Sequence, residues 1–150
     1  MSAATKTITP KDPEYTISRI VNAPIARVWR LWTEPDHLRH WFCPKGFTVL
    51  EVGIDAQVGG QWMTRMRSSD GGSHTTLGVF REVIEAERLV FTQSWEGSEH
   101  HSIITVTLKE SGDATEIVFN QAYLESEASR DSHAEGWDEA LDNLQRYILP

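Results

Sequence analysis

The chain has 150 residues, 22 acidic and 14 basic side chains, a formal charge of −8 and a single cysteine. That length fits one domain able to bury about 70% of its unfolded surface, so a core needs no covalent staples. One cysteine excludes an internal disulfide framework, the acidic balance argues against a nucleic-acid backbone binder, and no apolar run is long enough to be inserted across a membrane.

Residues 1–12 are polar and contain no apolar stretch of the kind a secretory signal needs. They read as a flexible lead-in to one domain over 13–150, in a reducing, cytoplasmic setting. Residues 14–21 then alternate, with Tyr15, Ile17 and Ile20 or Val21 apolar, and predict a first strand. Asn22 is placed to cap a helix and Pro24 suits its first turn. Ile25, Val28, Trp29 and Trp32 follow at helical spacing, so 24–33 reads as a short amphipathic helix. Glu34-Pro35-Asp36 breaks it and opens a second short helix over 35–41, carrying Leu38 and Trp41.

From Phe47 the period changes to two. Strands are predicted over 47–54, 60–68, 75–85, 88–96, 101–110 and 114–122, separated by turn sequences such as Asp70-Gly71 and Gly112-Asp113. Connections this short between successive strands imply an antiparallel meander. The last element is a long helix over 127–149. His133, Trp137, Leu141, Leu144 and Ile148 share one face, widened by Ala140 and Tyr147. Asp131, Glu135, Asp138, Glu139, Asp142 and Arg146 cover most of the rest and read as its solvent face. Residues 125–150 hold seven acids and two bases, so this segment carries most of the negative charge.

The fold class is therefore α+β: a curved antiparallel sheet of about seven strands wrapped on a long C-terminal helix, with two short helices after the first strand. A helix laid across a curved sheet tends to leave a space between them, and such spaces hold ligands. The alternation gives the inward sets as Trp62, Thr64 and Met66; Leu89, Phe91, Gln93 and Trp95; Ile104, Val106 and Leu108; Ile117, Phe119 and Gln121. Gln93 and Gln121 stand on otherwise apolar faces. A buried amide needs a partner, and a ligand or bound water is the one expected.

Other constellations point to chemistry less well. His37-x-x-His40-x-x-Cys43 offers zinc-like donors, but the stretch is aromatic and proline-based, and packing is the preferred reading. Cys43 as a nucleophile has only His40 close in sequence and no third, orienting member. Arg65 and Arg67 fit an anion only if their face is inward, and more often such residues form a solvated strand face. No carboxylate pair and no glycine-rich phosphate loop stands out.

This order of elements, with its local motifs, resembles the START-like (SRPBCC) helix-grip superfamily, in the branch of the heat-shock protein 90 ATPase activator homologues. The resemblance is carried by Asn22-Ala23-Pro24-Ile25-Ala26-Arg27-Val28-Trp29 and by Trp41-Phe42-Cys43-Pro44-Lys45-Gly46. Val58-Gly59-Gly60, Asp70-Gly71-Gly72, Gly78-Val79-Phe80-Arg81-Glu82-Val83 and Glu87-Arg88-Leu89-Val90-Phe91-Thr92 add to it, as does the helix segment from His133 to Leu144. The resemblance implies the helix-grip fold. It implies no single activity, because the superfamily includes lipid and hormone binders, polyketide cyclases, oxygenase subunits and co-chaperone-like proteins.

The functional expectation is a small hydrophobic or amphipathic ligand held between sheet and C-terminal helix, with no cofactor, no metal and no catalytic residue. The expected lining is Trp41, Phe42, Trp62, Met66, Phe80, Phe91, Gln93, Trp95, Phe119, Gln121, His133, Trp137 and Leu141. Two alternatives stay open: a co-chaperone-like adaptor for a heat-shock chaperone ATPase, and a cyclase- or hydrolase-like enzyme using the same cavity.

Overall fold

A computed structural model gives the structure of residues 11–148. The elements run β1 (Tyr15–Val21), α1 (Ile25–Thr33), α2 (Pro35–Leu38), β2 (Thr48–Ile54), β3 (Gln61–Arg67) and β4 (Ser73–Ile84). They continue with β5 (Arg88–Trp95), β6 (Ser102–Ser111), β7 (Ala114–Ala122) and α3 (Glu127–Tyr147). Every predicted element is present. Most of the expected lead-in, residues 1–10, lies outside the described residues, as does residue 149 at the expected end of the last helix. Just before β1, the carbonyls of Lys11 and Pro13 accept the N–H groups of Tyr123 and Leu124 at 2.8 and 3.1 Å, holding that segment against the end of β7.

Two local expectations change. Asn22 does not cap α1: Pro24 occupies the cap position, its carbonyl accepts from Arg27 and Val28, and no side chain bonds the first turn. The second helix also stops at Leu38, short of the predicted 41. There the Leu38 carbonyl accepts from both Trp41 and Phe42 as the chain turns, which swings those two rings inward.

The sheet has seven strands in the order β1-β7-β6-β5-β4-β3-β2, antiparallel throughout. The first strand thus closes one edge beside the last, while α1 and α2 carry the chain to the opposite edge. Ser111 pairs with Ala114 across the two-residue Gly112-Asp113 turn, the tight hairpin foreseen in the sequence. Register shifts at Val49/Glu51 and Phe80/Glu82 mark bulges, which sharpen the curl of the half-barrel.

The concave face is where the core forms. Phe80, Phe91, Ile104, Val106, Ile117 and Phe119 from the sheet meet Val28, Leu31 and Trp32 of α1 and Leu141 and Leu144 of α3, all buried. Thr64 of β3 is also fully buried, so the strand alternation read from the sequence holds.

Helix α3 starts at a serine cap, with Ser126 Oγ accepting from the Ser129 N–H at 3.0 Å. It is then tied down on its polar side. The Arg19 guanidinium of β1 bonds Asp138, Asp142 and Gln145, and Lys45 Nζ reaches the other Asp142 oxygen at 2.8 Å. Asp138 and Asp142 therefore clasp the sheet and the α2–β2 loop instead of belonging to a free solvent face. Among the described residues no helix is long and apolar enough to cross a membrane.

Candidate functional site

Between the open end of the sheet and the first half of α3 lies a partly open cleft of about 360 Å³. The α2–β2 loop supplies Phe42, Cys43, Pro44 and Phe47. The sheet supplies Met66, His74, Thr76, Gln93 and Trp95. The helix supplies Ser132, His133, Gly136, Trp137 and Ala140. A second groove of about 420 Å³ lies on the other side of α3, but its wall includes Asp142, Lys45 and Arg146, and its acid is already paired.

Of the expected lining residues, the structure brings Phe42, Met66, Gln93, Trp95, His133 and Trp137 to this cleft. The other seven lie elsewhere. Trp41, Trp62, Phe80, Phe91, Phe119 and Leu141 are in the packed core, and Gln121 lies fully buried in a polar network. The aromatic rings touch in series. Trp32 meets Trp41 edge-on at 4.7 Å and lies nearly parallel to Trp137 at 6.4 Å, while Phe42 stands edge-on to Trp62, Trp41 and Trp137. The interior remnant bordered by Trp32, Phe42, Trp62, Phe80 and Phe91 is about 10 Å³, no more than a single water's worth. Phe42 separates that filled interior from the open cleft.

The wall residues that the alternation and helix pattern did not single out are Cys43, Pro44, Phe47, His74, Thr76, Ser132 and Gly136, while Ala140 stands on the helix face already read as inward. Most sit on the α2–β2 loop or on the flank of α3. The Trp41-to-Gly46 motif was the available signal for the loop, since a proline and a glycine after two large rings mark a turn that presents them.

The two buried glutamines find partners within the protein. Tyr15 Oη donates to Gln121 Oε1, and Gln121 Nε2 donates to Ser102 Oγ at 2.8 Å and Gln93 Oε1 at 3.2 Å. Gln93 Nε2 donates to Thr76 Oγ1, whose own hydroxyl donates to the Ser94 carbonyl at 3.0 Å. A connected network of this kind satisfies the amides without a ligand or water, which removes the reason first given for placing a ligand beside them. Burial pushes the Tyr15 phenol well above its ordinary range.

At the mouth, Trp95 Nε1 donates to His133 Nε2 at 3.1 Å. An indole N–H only donates, so that imidazole nitrogen accepts and the ring proton sits on Nδ1, 2.7 Å from the Ser129 carbonyl. The pair bridges β5 and α3 and divides the cleft from a small depression bordered by His100, Leu124 and Glu125. Cys43 lines the cleft, but burial pushes its thiol up to about 11, the opposite of what a thiolate nucleophile requires. His37 bonds Tyr147 Oη through Nδ1 at 2.9 Å and His40 stacks on the Tyr147 ring at 4.9 Å, so both histidines anchor the end of α3. Among the described residues no three His, Cys, Asp or Glu side chains gather where a metal ion would sit. Arg65 pairs outward with Glu51 at 2.8 Å.

Residues 22–148 match the family described as activator of Hsp90 ATPase homolog 1-like protein. The chain belongs to that family. Solved structures share its fold over nearly the whole length. Protein CV1439 from Chromobacterium violaceum is 26% identical, with a TM-score of 0.82 over 91% of this chain and 98% of its own. Protein NE0264 from Nitrosomonas europaea is 24% identical, with a TM-score of 0.79 over 90% and 93%. The AHSA1 protein from Silicibacter pomeroyi is 18% identical, with a TM-score of 0.82 over 90% and 96%. No curated protein matches the chain.

Proposed function

We propose that this family member holds one small hydrophobic or amphipathic molecule in the cleft between the sheet and α3. The observation that carries the reading is the contrast within one concave face. Elsewhere the rings close on each other, but beyond Phe42 a space of about 360 Å³ stays open between Met66, Trp95 and Trp137. That volume falls at the lower end of the roughly 300–1,000 Å³ of small-molecule sites. Two of the cleft's titratable groups favour holding over turnover: His133 has both ring nitrogens engaged, and burial pushes the Cys43 thiol up to about 11.

The family description names an ATPase activator, and a chaperone adaptor is the second reading. A chaperone contact would fall on the acidic side of α3, which is thinner than its sequence suggests because Asp138 and Asp142 are held by Arg19 and Lys45. Ligand binding is the reading we adopt.

A thermal-shift and tryptophan-fluorescence screen of lipids and ring compounds at about 100 μM tests it. A ligand with Kd of about 1 μM adds roughly 2.7 kcal/mol at that concentration. For a domain of this size that raises Tm by about 5–10 °C. Trp95 and Trp137 line the space and report occupancy through their emission. A broad screen that moves neither Tm nor emission overturns the proposal.

A further inference from the structure

We infer that the cleft selects its ligand by charge as well as shape: it takes an uncharged ring compound and turns away ionised forms of the same skeleton. The inference rests on the ligand-binding reading above and adds the chemical class of the occupant.

Among the described residues, no Lys, Arg, Asp or Glu lines the cleft. Its inner polar groups are already committed. Gln93 donates to Thr76, Thr76 donates to the Ser94 carbonyl, and the Gln93 carbonyl oxygen accepts from Ser102 and Gln121. The titratable side chains that face it are His74, His133 and Cys43, with Glu125 and His100 beyond the Trp95–His133 pair. Trp95 has no acceptor to offer and His133 accepts from it, so this contact requires a neutral imidazole. A carboxylate or an ammonium entering here would lose water and find, beside the committed inner groups, only the exposed Ser132 hydroxyl and His74 ring and no Lys, Arg, Asp or Glu in the wall, which is unfavourable for either sign. Arg19, Lys45, Asp138 and Asp142 are clustered and paired on the opposite flank of α3, and Glu125 lies outside the cleft, beyond the Trp95–His133 pair.

The walls fit a ring. Phe42 and Trp137 stand edge-to-face at 5.3 Å, Met66 adds a thioether to the wall, and Gly136 leaves α3 without a side chain in the middle of its cleft-lining stretch. Rings that insert edge-on or stacked against such walls gain contact beyond simple area burial.

The test compares three probes of one skeleton at about pH 8, where imidazoles are neutral: methyl 2-naphthoate, 2-naphthoate and 2-naphthylmethylammonium. Calorimetry and tryptophan quenching on the full chain give the affinities. The ester is expected to bind at least about tenfold more tightly than either ion. Equal or tighter binding of the carboxylate or the ammonium overturns charge selection and leaves the ligand-binding function standing. Failure of all three to bind, with no hit in the broader screen, overturns both.

Discussion

Gly78 shows how one residue can be demanded by a neighbour on another strand. A Cβ there would stand 1.8 Å from the Thr92 carbonyl oxygen and 2.5 Å from Trp62 Nε1. Those are the two atoms joined by the buried 2.9 Å bond that fixes the Trp62 indole across β4. Gly78→Ala is expected to lower stability by about 3 kcal/mol, at the upper end of overpacking costs, because backbone and not a flexible tip is in the way. Urea unfolding measures it, and a variant within about 0.5 kcal/mol of the parent would refute the assignment. At this scale the sequence was a mixed guide. It placed Gln93 and Gln121 on apolar faces, which is where they lie, yet their partners are Thr76, Ser102 and Tyr15 on other strands. Side-chain direction follows from alternation along one strand. Hydrogen-bond partners depend on register between strands, which alternation does not carry.

Among the elements, α3 depends most on charges outside itself. The Lys45 ammonium, and after it the Arg19 guanidinium, hold the Asp142 carboxyl below the usual carboxylate range. A folded-state value that is depressed contributes stability above the unfolded Asp value of about 3.9, and that contribution is lost as pH falls through the folded value. Asp142→Asn should therefore cost up to about 1 kcal/mol near pH 7, the scale of a partly exposed ion pair. The difference from the parent should shrink progressively from about pH 7 into strong acid, as the pH falls through the depressed folded value. Denaturant midpoints across that range check this, and an undiminished gap in acid would sink it. The helix periodicity identified the inward stripe correctly, with Ala140, Leu141 and Leu144 buried. It assigned the remaining acids to solvent because the approach of Arg19, more than a hundred residues earlier, leaves no mark on the helix's own pattern.

For the whole molecule, Gly136 is where stability and the open cleft are set against each other. A Cβ at this position meets nothing nearer than Pro44 Cγ at 3.6 Å, an ordinary contact. An interior helix glycine costs about 0.5–1 kcal/mol relative to alanine, so Gly136→Ala is expected to stabilise the fold by about that amount. The bulkier Gly136→Leu directs its side chain into the cleft and should abolish binding of methyl 2-naphthoate while circular dichroism stays that of the parent. Unimpaired probe binding in the leucine variant would show that the cleft is not the site.

The chain's own pattern was sufficient for the seven strands, the helix order and the inward faces, because periods of two and of about 3.6 record the direction of each side chain locally. Of the tryptophans read as converging, Trp41, Trp62 and Trp137 do meet, joined by Trp32, in one aromatic cluster, whereas Trp95 stays outside it, 39% exposed at the cleft mouth. Tertiary structure alone decided that this cluster is mostly solid core and that the open space lies beyond Phe42. Periodicity assigns a face to a ring without saying how far a neighbouring segment is pushed beneath it. Here the turn after Leu38 drives Trp41 and Phe42 under the sheet, filling one part of the concave face and leaving the other for a ligand.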